Sequence, residues 1–209
     1  MSDVEDGGAA GIAALLADPT ILRLRAALQT RHAVPVEREP GVREAAVALI
    51  FRAGEDGSPE LLFIKRAEYP GDPWSGQIAF PGGREESGDS SLMETAIRET
   101  REETGIDLTR DGQIIGVLDD FSPRTVRLPA IVVRPYVALL DRRAPLDLSA
   151  EVALAFWIPF GSLAQAESWR EDTVFARGIQ INALVFHHDD HVIWGMTERI
   201  LAQLLALLN

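Results

Sequence analysis

The sequence predicts a mixed α/β domain in which helices pack on a largely antiparallel sheet. Three observations carry this expectation. From Glu44 onward, short apolar runs of strand length alternate with turn residues. A single segment, opening near Asp89 and closing at Gly105, has apolar residues at helical spacing and acids beside them. The chain ends in a second stretch of helical period, Thr197 to Leu208, with Ile200, Leu201, Leu204, Leu205 and Leu208 on one face.

Taken in order, residues 1–18 are rich in Gly, Ala and Asp and are expected to be frayed. Asp18-Pro19-Thr20 reads as a helix start, with Leu22, Leu24, Ala27 and Leu28 following, and Pro35 and Pro40 close this arm. Residues 1–43 are therefore assigned to an N-terminal arm and 44–209 to the domain. The arm packs either on the domain or on a second subunit, so a homodimer is one expected assembly. Ala46 to Phe51 and Leu61 to Lys65 read as partner strands across the turn Gly54 to Pro59. Further strands are expected at Ile114–Phe121, Ile131–Leu140, Val152–Ile158 and Ile179–His187.

Composition narrows the class. The 209 residues suit one domain, and 46% hydrophobic with 25% charged residues is ordinary for a globular chain. No apolar run nears the roughly 18 residues of a membrane span, and the acidic start, Met1 to Asp6, is unlike a secretory leader. Cysteine is absent, which excludes disulfides and thiolate metal sites. A cytoplasmic location is expected. The net charge of −12 repels nucleic acid and anionic membrane, so neither is expected as a partner. A small anionic substrate remains compatible where local cations or a bound metal receive it.

Phe80-Pro81-Gly82-Gly83 followed by the acidic helix carries the chemistry. Ser91 with Glu94 fits a capping box, and Gly105 suits the residue past the helix end. At about 100° per residue, Leu92, Met93, Ala96, Ile97 and Thr100 form a buried face. Glu99, Glu102 and Glu103 fill a neighbouring arc, Glu103 at the apolar edge. Glu99 and Glu103 repel each other at i,i+4, and half-burying them costs more unless a charge neutralises them. Oxygen ligands on one rigid face suit Mg²⁺ or Mn²⁺. Arg98 is placed to bridge Glu94 and Glu102. A Glu-rich helix face is commonly just solvated. Here the acids border a buried edge, and a Gly-Gly turn lets backbone approach a ligand closely.

Gly83, Asp89 and Arg98-Glu99-Thr100-Arg101-Glu102-Glu103-Thr104-Gly105-Ile106 resemble the Nudix box. Asp89 stands for its first Glu, Thr100 for an aliphatic, and the gap to Arg98 is one residue longer. That form of the box resembles the branch that hydrolyses coenzyme A. The likeness runs from about Ala46 to Leu208, through Val133-Arg-Pro-Tyr136, Phe156-Trp-Ile-Pro159 and Trp194-Gly-Met-Thr197. Upstream, Arg66-Ala67 and Gly76 match the branch, whereas Gly71 falls where it has a second Arg. The resemblance implies an α/β/α sandwich and a divalent-metal-dependent diphosphatase. It implies Glu99, Glu102 and Glu103 as metal ligands, with the Gly82 carbonyl as a further candidate, and a general base at Glu103 in the helix or Glu151 in a later loop. Coenzyme A or a derivative is the expected substrate. ADP-ribose or nucleoside triphosphates are alternatives, as is a Nudix-fold binding module without catalysis.

The remaining candidate residues stand outside the box. Arg98 and Asp89 are expected to form a structural ion pair. Arg66 suits substrate phosphate as well as an exposed strand end, and Trp74, in the loop before the site, is the tryptophan placed to contact substrate. Arg124 and Arg127 are read as surface arginines. His187-His-Asp-Asp-His191 offers zinc ligands, but Asp189-Asp190 is good turn chemistry, so a hairpin tip is expected, with its histidines on different faces.

Overall fold

Strand β1 (Arg43–Ala53) shows why the fold has helices on both sides: Ala45, Ala46, Ala48, Leu49, Ile50 and Phe51 are all at most 5% exposed. Successive strand residues point to opposite faces, so both faces must be covered. Ala45, Leu49 and Phe51 join the main core, while Ala48 and Ile50 join a second cluster and Ala46 a third. This computed structural model describes residues 10–38, 40–72, 74–123, 129–141, 145–176 and 179–208. Arg124 and Arg127 lie outside the described residues.

Two helices precede β1: α1 (Ala10–Ala17) and α2 (Pro19–Thr30). Residues 10–17, expected to fray, are helical because Leu15 is fully buried with Ile21, Leu24 and Leu28 of α2 in the main core. Asp18 caps α2 by accepting from the Thr20 and Ile21 N–H groups, with Pro19 at the first helical position. The arm thus packs on its own domain. After it, Arg31 and the Val34 N–H both bond Asp119, which pins the segment that leads into the sheet.

After β1 come β2 (Pro59–Arg66), β3 (Ile78–Ala79), β4 (Gly82–Arg84), α3 (Leu92–Thr104), a one-turn α4 (Leu108–Asp111), β5 (Gly112–Val117) and β6 (Ile131–Leu140). Then follow β7 (Val152–Pro159), a short α5 (Phe160–Leu163), β8 (Trp169–Ala176), β9 (Ile179–His188), β10 (His191–Ile193) and α6 (Gly195–Ala206). The main sheet has seven strands in the order β3-β2-β1-β6-β5, with β4 also on β1 and β7 on β2. Among the described residues, β1 and β6 are the one parallel pair of this sheet and every other pairing is antiparallel. One layer holds α1, α2 and α6, whose Leu24, Ile200 and Leu204 meet Leu49 and Phe63. The other holds α3 and α4, where Leu108 and Ile97 pack on Ile50 and Leu62. This is the expected α/β/α sandwich.

Two expectations need correction, and one strand is added. The strand expected to reach Phe121 ends at Val117 after a bulge at Ile114/Gly116, and Phe121 forms only an isolated bridge to Val133. Strand β8 lies in a stretch for which no element was expected from sequence. It pairs along β9 in a second sheet of order β10-β9-β8. The hairpin tip at Asp189-Asp190 is as expected, but His188 and His191 are cross-strand partners that both stack on Phe156, at 5.6 and 4.8 Å. Only His187 turns elsewhere, to Asp172 at 3.1 Å.

Candidate active site

Helix α3 positions the acids. Ser91 Oγ accepts from the Glu94 N–H at 3.3 Å, and Gly105 ends the helix at φ 75°. Glu94 completes its part of the cap on the Ser90 N–H, at 2.7 Å, and so is not an Arg98 partner. The buried face is Leu92, Thr95, Ala96, Thr100, Glu103 and Thr104. Met93, expected on it, is 43% exposed. The face is turned by about one residue from the expected one, and that turn carries Glu103 inside to 3% exposure.

Glu103 is held by backbone. Its Oε2 accepts from the Gly82 N–H at 2.9 Å, and its Oε1 lies 3.8 Å from the Arg66 guanidinium. Burial pushes its carboxyl up to about 7; the Gly82 N–H and Arg66 oppose this, while Glu99 and Glu151 add to it. Glu99 is also raised, by burial first, with Arg98 opposing and Glu102 and Glu151 reinforcing. Glu99, Glu103 and Glu151 thus share one electrostatic environment, and all three line a cleft of about 880 Å³.

The glycine turn makes this approach possible. A Cβ on Gly83 would sit 2.3 Å from the Glu99 carboxylate, and one on Gly82 would sit 2.2 Å from the Ala46 carbonyl oxygen. Gly82 also has φ +151°, which few side-chain-bearing residues adopt.

Arg98 organises the opposite flank. It donates to both oxygens of Asp89 at 2.9 Å, to Glu99 at 3.0 Å, to Glu102 at 3.1 Å and to the Arg84 carbonyl at 3.0 Å. The expected Asp89–Arg98 pair is therefore present and fastens the loop to the helix. These bonds hold the Asp89 carboxyl far below the usual carboxylate range. Glu102, with its side chain 55% exposed, is turned to Arg98 and does not line the cleft. Among the described residues, no three acidic or imidazole side chains converge tightly enough to hold a cation. Glu99 and Glu103 are brought together, and Glu102 stands aside.

Arg66 and Trp74 both line the cleft. Asp72, absent from the expected set, joins them: it accepts from Arg66 at 2.9 Å and from the Trp74 N–H at 3.1 Å. No periodicity or motif marks such a loop aspartate. Among the described residues, Arg66 Nε is buried without a hydrogen-bond partner. Trp74 also packs against the main core, so it is part wall and part core. Glu151 sits before β7; its carbonyl accepts from the Ala67 N–H at 2.8 Å, tying its loop to the end of β2. Of the other tryptophans, Trp157 covers Arg52 at 4.1 Å and Trp169 donates to the Leu163 carbonyl.

An all-oxygen set that includes two raised, mutually repelling carboxyls, Glu99 against Arg98 and Glu103 near Arg66, suits a hard divalent cation. The same wall offers Arg66 to an anion, so the arrangement fits an anionic substrate bound through a metal.

Comparison with known proteins identifies the family and the fold. A model of the NUDIX domain matches residues 42–177. The Nudix hydrolase NudL of Salmonella newport is 32% identical over 164 residues, covering 78% of this chain and 81% of that protein. Among solved structures, a NUDIX hydrolase from Alicyclobacillus acidocaldarius superposes with a TM-score of 0.52 at 19% identity, over 80% of this chain and 93% of that one. A MutT/nudix family protein from Enterococcus faecalis gives 0.52 at 16% identity over 80% of this chain, which spans 62% of that longer protein. These two likenesses concern the fold.

Proposed function

The chain belongs to the Nudix family and is a hydrolase of diphosphate linkages in nucleoside-diphosphate derivatives, and from that premise we propose that its substrate is coenzyme A or a derivative. The Asp89 form of the box supports this choice, as does a cleft large enough for a diphosphate and an extended arm.

We assign Glu99, Glu102 and Glu103 to a Mg²⁺ or Mn²⁺ site, with the Gly82 carbonyl as a further ligand. The observation that carries the assignment is Glu103, a carboxylate buried at 3% exposure beside Glu99. When bound, the metal neutralises charge on the phosphoryl oxygens and acidifies a water. Glu102 would exchange Arg98 for the cation, a small cost for an exposed side chain. Arg66, anchored by Asp72, offers its guanidinium to a phosphate oxygen. Glu151 has no side-chain hydrogen bond among the described residues and is exposed at the cleft. It takes a proton from the attacking water as general base. The water oxygen bonds to phosphorus, the bridging P–O bond breaks, and two monophosphates leave. Glu103 is the alternative base; its fixed hydrogen bond to Gly82 suits a ligand better.

A Mg²⁺-dependent panel of coenzyme A, ADP-ribose and dinucleoside polyphosphates tests the reading. Coenzyme A is expected to be turned over best. Glu102→Gln and Glu103→Gln should each lose metal affinity, and Glu151→Gln should lower kcat by at least about a hundredfold with metal affinity intact. Preference for ADP-ribose would redirect the substrate assignment. Turnover indifferent to all three substitutions would overturn the site.

A further inference from the structure

A second groove, of about 390 Å³, opens beside the catalytic cleft. Asp72, Gln77 and Ile78 line both, so the two are neighbours across one shared wall. The wall is fixed, because Asp72 is bonded to Arg66 and to the Trp74 N–H. Beyond it the groove is faced by Lys65, Phe175, His191 and Trp194, with Asp190 also on its lining. Phe175 is 72% exposed, an aromatic ring left in water at the cost of its apolar area. Lys65 and Gln77 are half-buried, yet neither side chain makes an ion pair or hydrogen bond among the described residues. An amide with unused donor and acceptor beside the exposed Phe175 ring and the half-buried Trp194 complements a planar heterocycle with a polar edge.

A diphosphate carries two substituents, and a site that cleaves it must house both. This step rests on the reading of the chain as a hydrolase of nucleoside-diphosphate derivatives. The larger cleft takes the reacting diphosphate and one arm; the groove across the wall has room for the other. We propose that this groove is the subsite for the nucleobase of the substrate. The base stacks on Phe175 and Trp194 and presents its polar edge to Gln77, with Lys65 supplying positive charge beside the nucleotide.

The test uses the full chain with Mg²⁺ and two probes, ADP-ribose and a diphosphate diester of two simple alkyl groups. Phe175→Ala should lower the kcat/KM ratio of the first to the second about tenfold, the usual loss for one stacked base. Phe175→Tyr should keep the wild-type ratio. Calorimetric titration of AMP should show a Kd weakened about tenfold by Phe175→Ala and not by Phe175→Tyr. An unchanged ratio and an unchanged AMP Kd in Phe175→Ala would overturn the subsite while leaving the hydrolase intact. A weakened AMP Kd in a protein that cleaves neither diphosphate would support the subsite and refute the catalytic reading instead.

Discussion

Replacing Glu103 by Gln should stabilise the metal-free protein at neutral pH while removing its activity. The carboxyl is 3% exposed and moves from an ordinary 4.5 to about 7 on folding. The folded state therefore holds the proton more tightly than the unfolded state. The stability this contributes is fully present below pH 4.5 and is lost as the pH rises through about 7. Between about pH 5 and about pH 8 the loss is on the order of 2–3 kcal/mol, at roughly 1.4 kcal/mol per tenfold in proton affinity. Gln keeps an oxygen for the Gly82 N–H and carries no charge, so it is free of this dependence. Thermal melts in chelator should show the Glu103→Gln protein gaining on wild type by roughly 5–10 °C from about pH 5 to about pH 8. Adding Mg²⁺ should then stabilise wild type far more than the variant. A difference between the two proteins that does not change with pH, or that runs the other way, would refute the account of Glu103 as a buried carboxyl without a full counter-charge.

The neighbouring glycines should separate fold from site. Gly82→Ala meets the Ala46 and Val47 backbone and should cost about 3 kcal/mol in urea unfolding. Gly83→Ala meets only the movable end of Glu99, so it should fold nearly normally but bind Mg²⁺ more weakly by calorimetry. Leu24→Ala empties a fully buried position in the core shared by α2 and the sheet and should cost about 2–4 kcal/mol by denaturant titration. If α1 and α2 were a detachable arm, it would cost almost nothing. Asp72→Asn weakens the anchor of Arg66 and should raise KM for the diphosphate several-fold with little change in Tm.

Much of the fold was legible because its signals are local. Strand β6 matches its expected bounds, Ile131–Leu140, since two short apolar runs rich in β-branched residues, on either side of Arg134-Pro135, suit a strand covered on both faces. The caps Asp18, Ser91 and Gly105 act within one turn, so sequence suffices to see them. Strand β8 was hidden because its polar residues are largely exposed and its identity depends on pairing with β9. Helix α1 was hidden because its order comes from Leu15 entering a core built by residues far along the chain.

The acidic helix divides in the same way. The sequence alone placed Glu99, Glu102 and Glu103 on one helical arc behind a Gly-Gly turn, because helix period and glycine chemistry are local properties. Only the tertiary structure decided which of them is buried. Packing α3 on β1 sends Glu103 to the Gly82 N–H and sets Glu99 against Gly83, while Arg98 draws Glu102 outward. It also decided that Asp72 anchors Arg66 and that Glu151 faces the same cleft. Those juxtapositions join residues from separate loops, and long-range packing, which no local pattern encodes, brings them together.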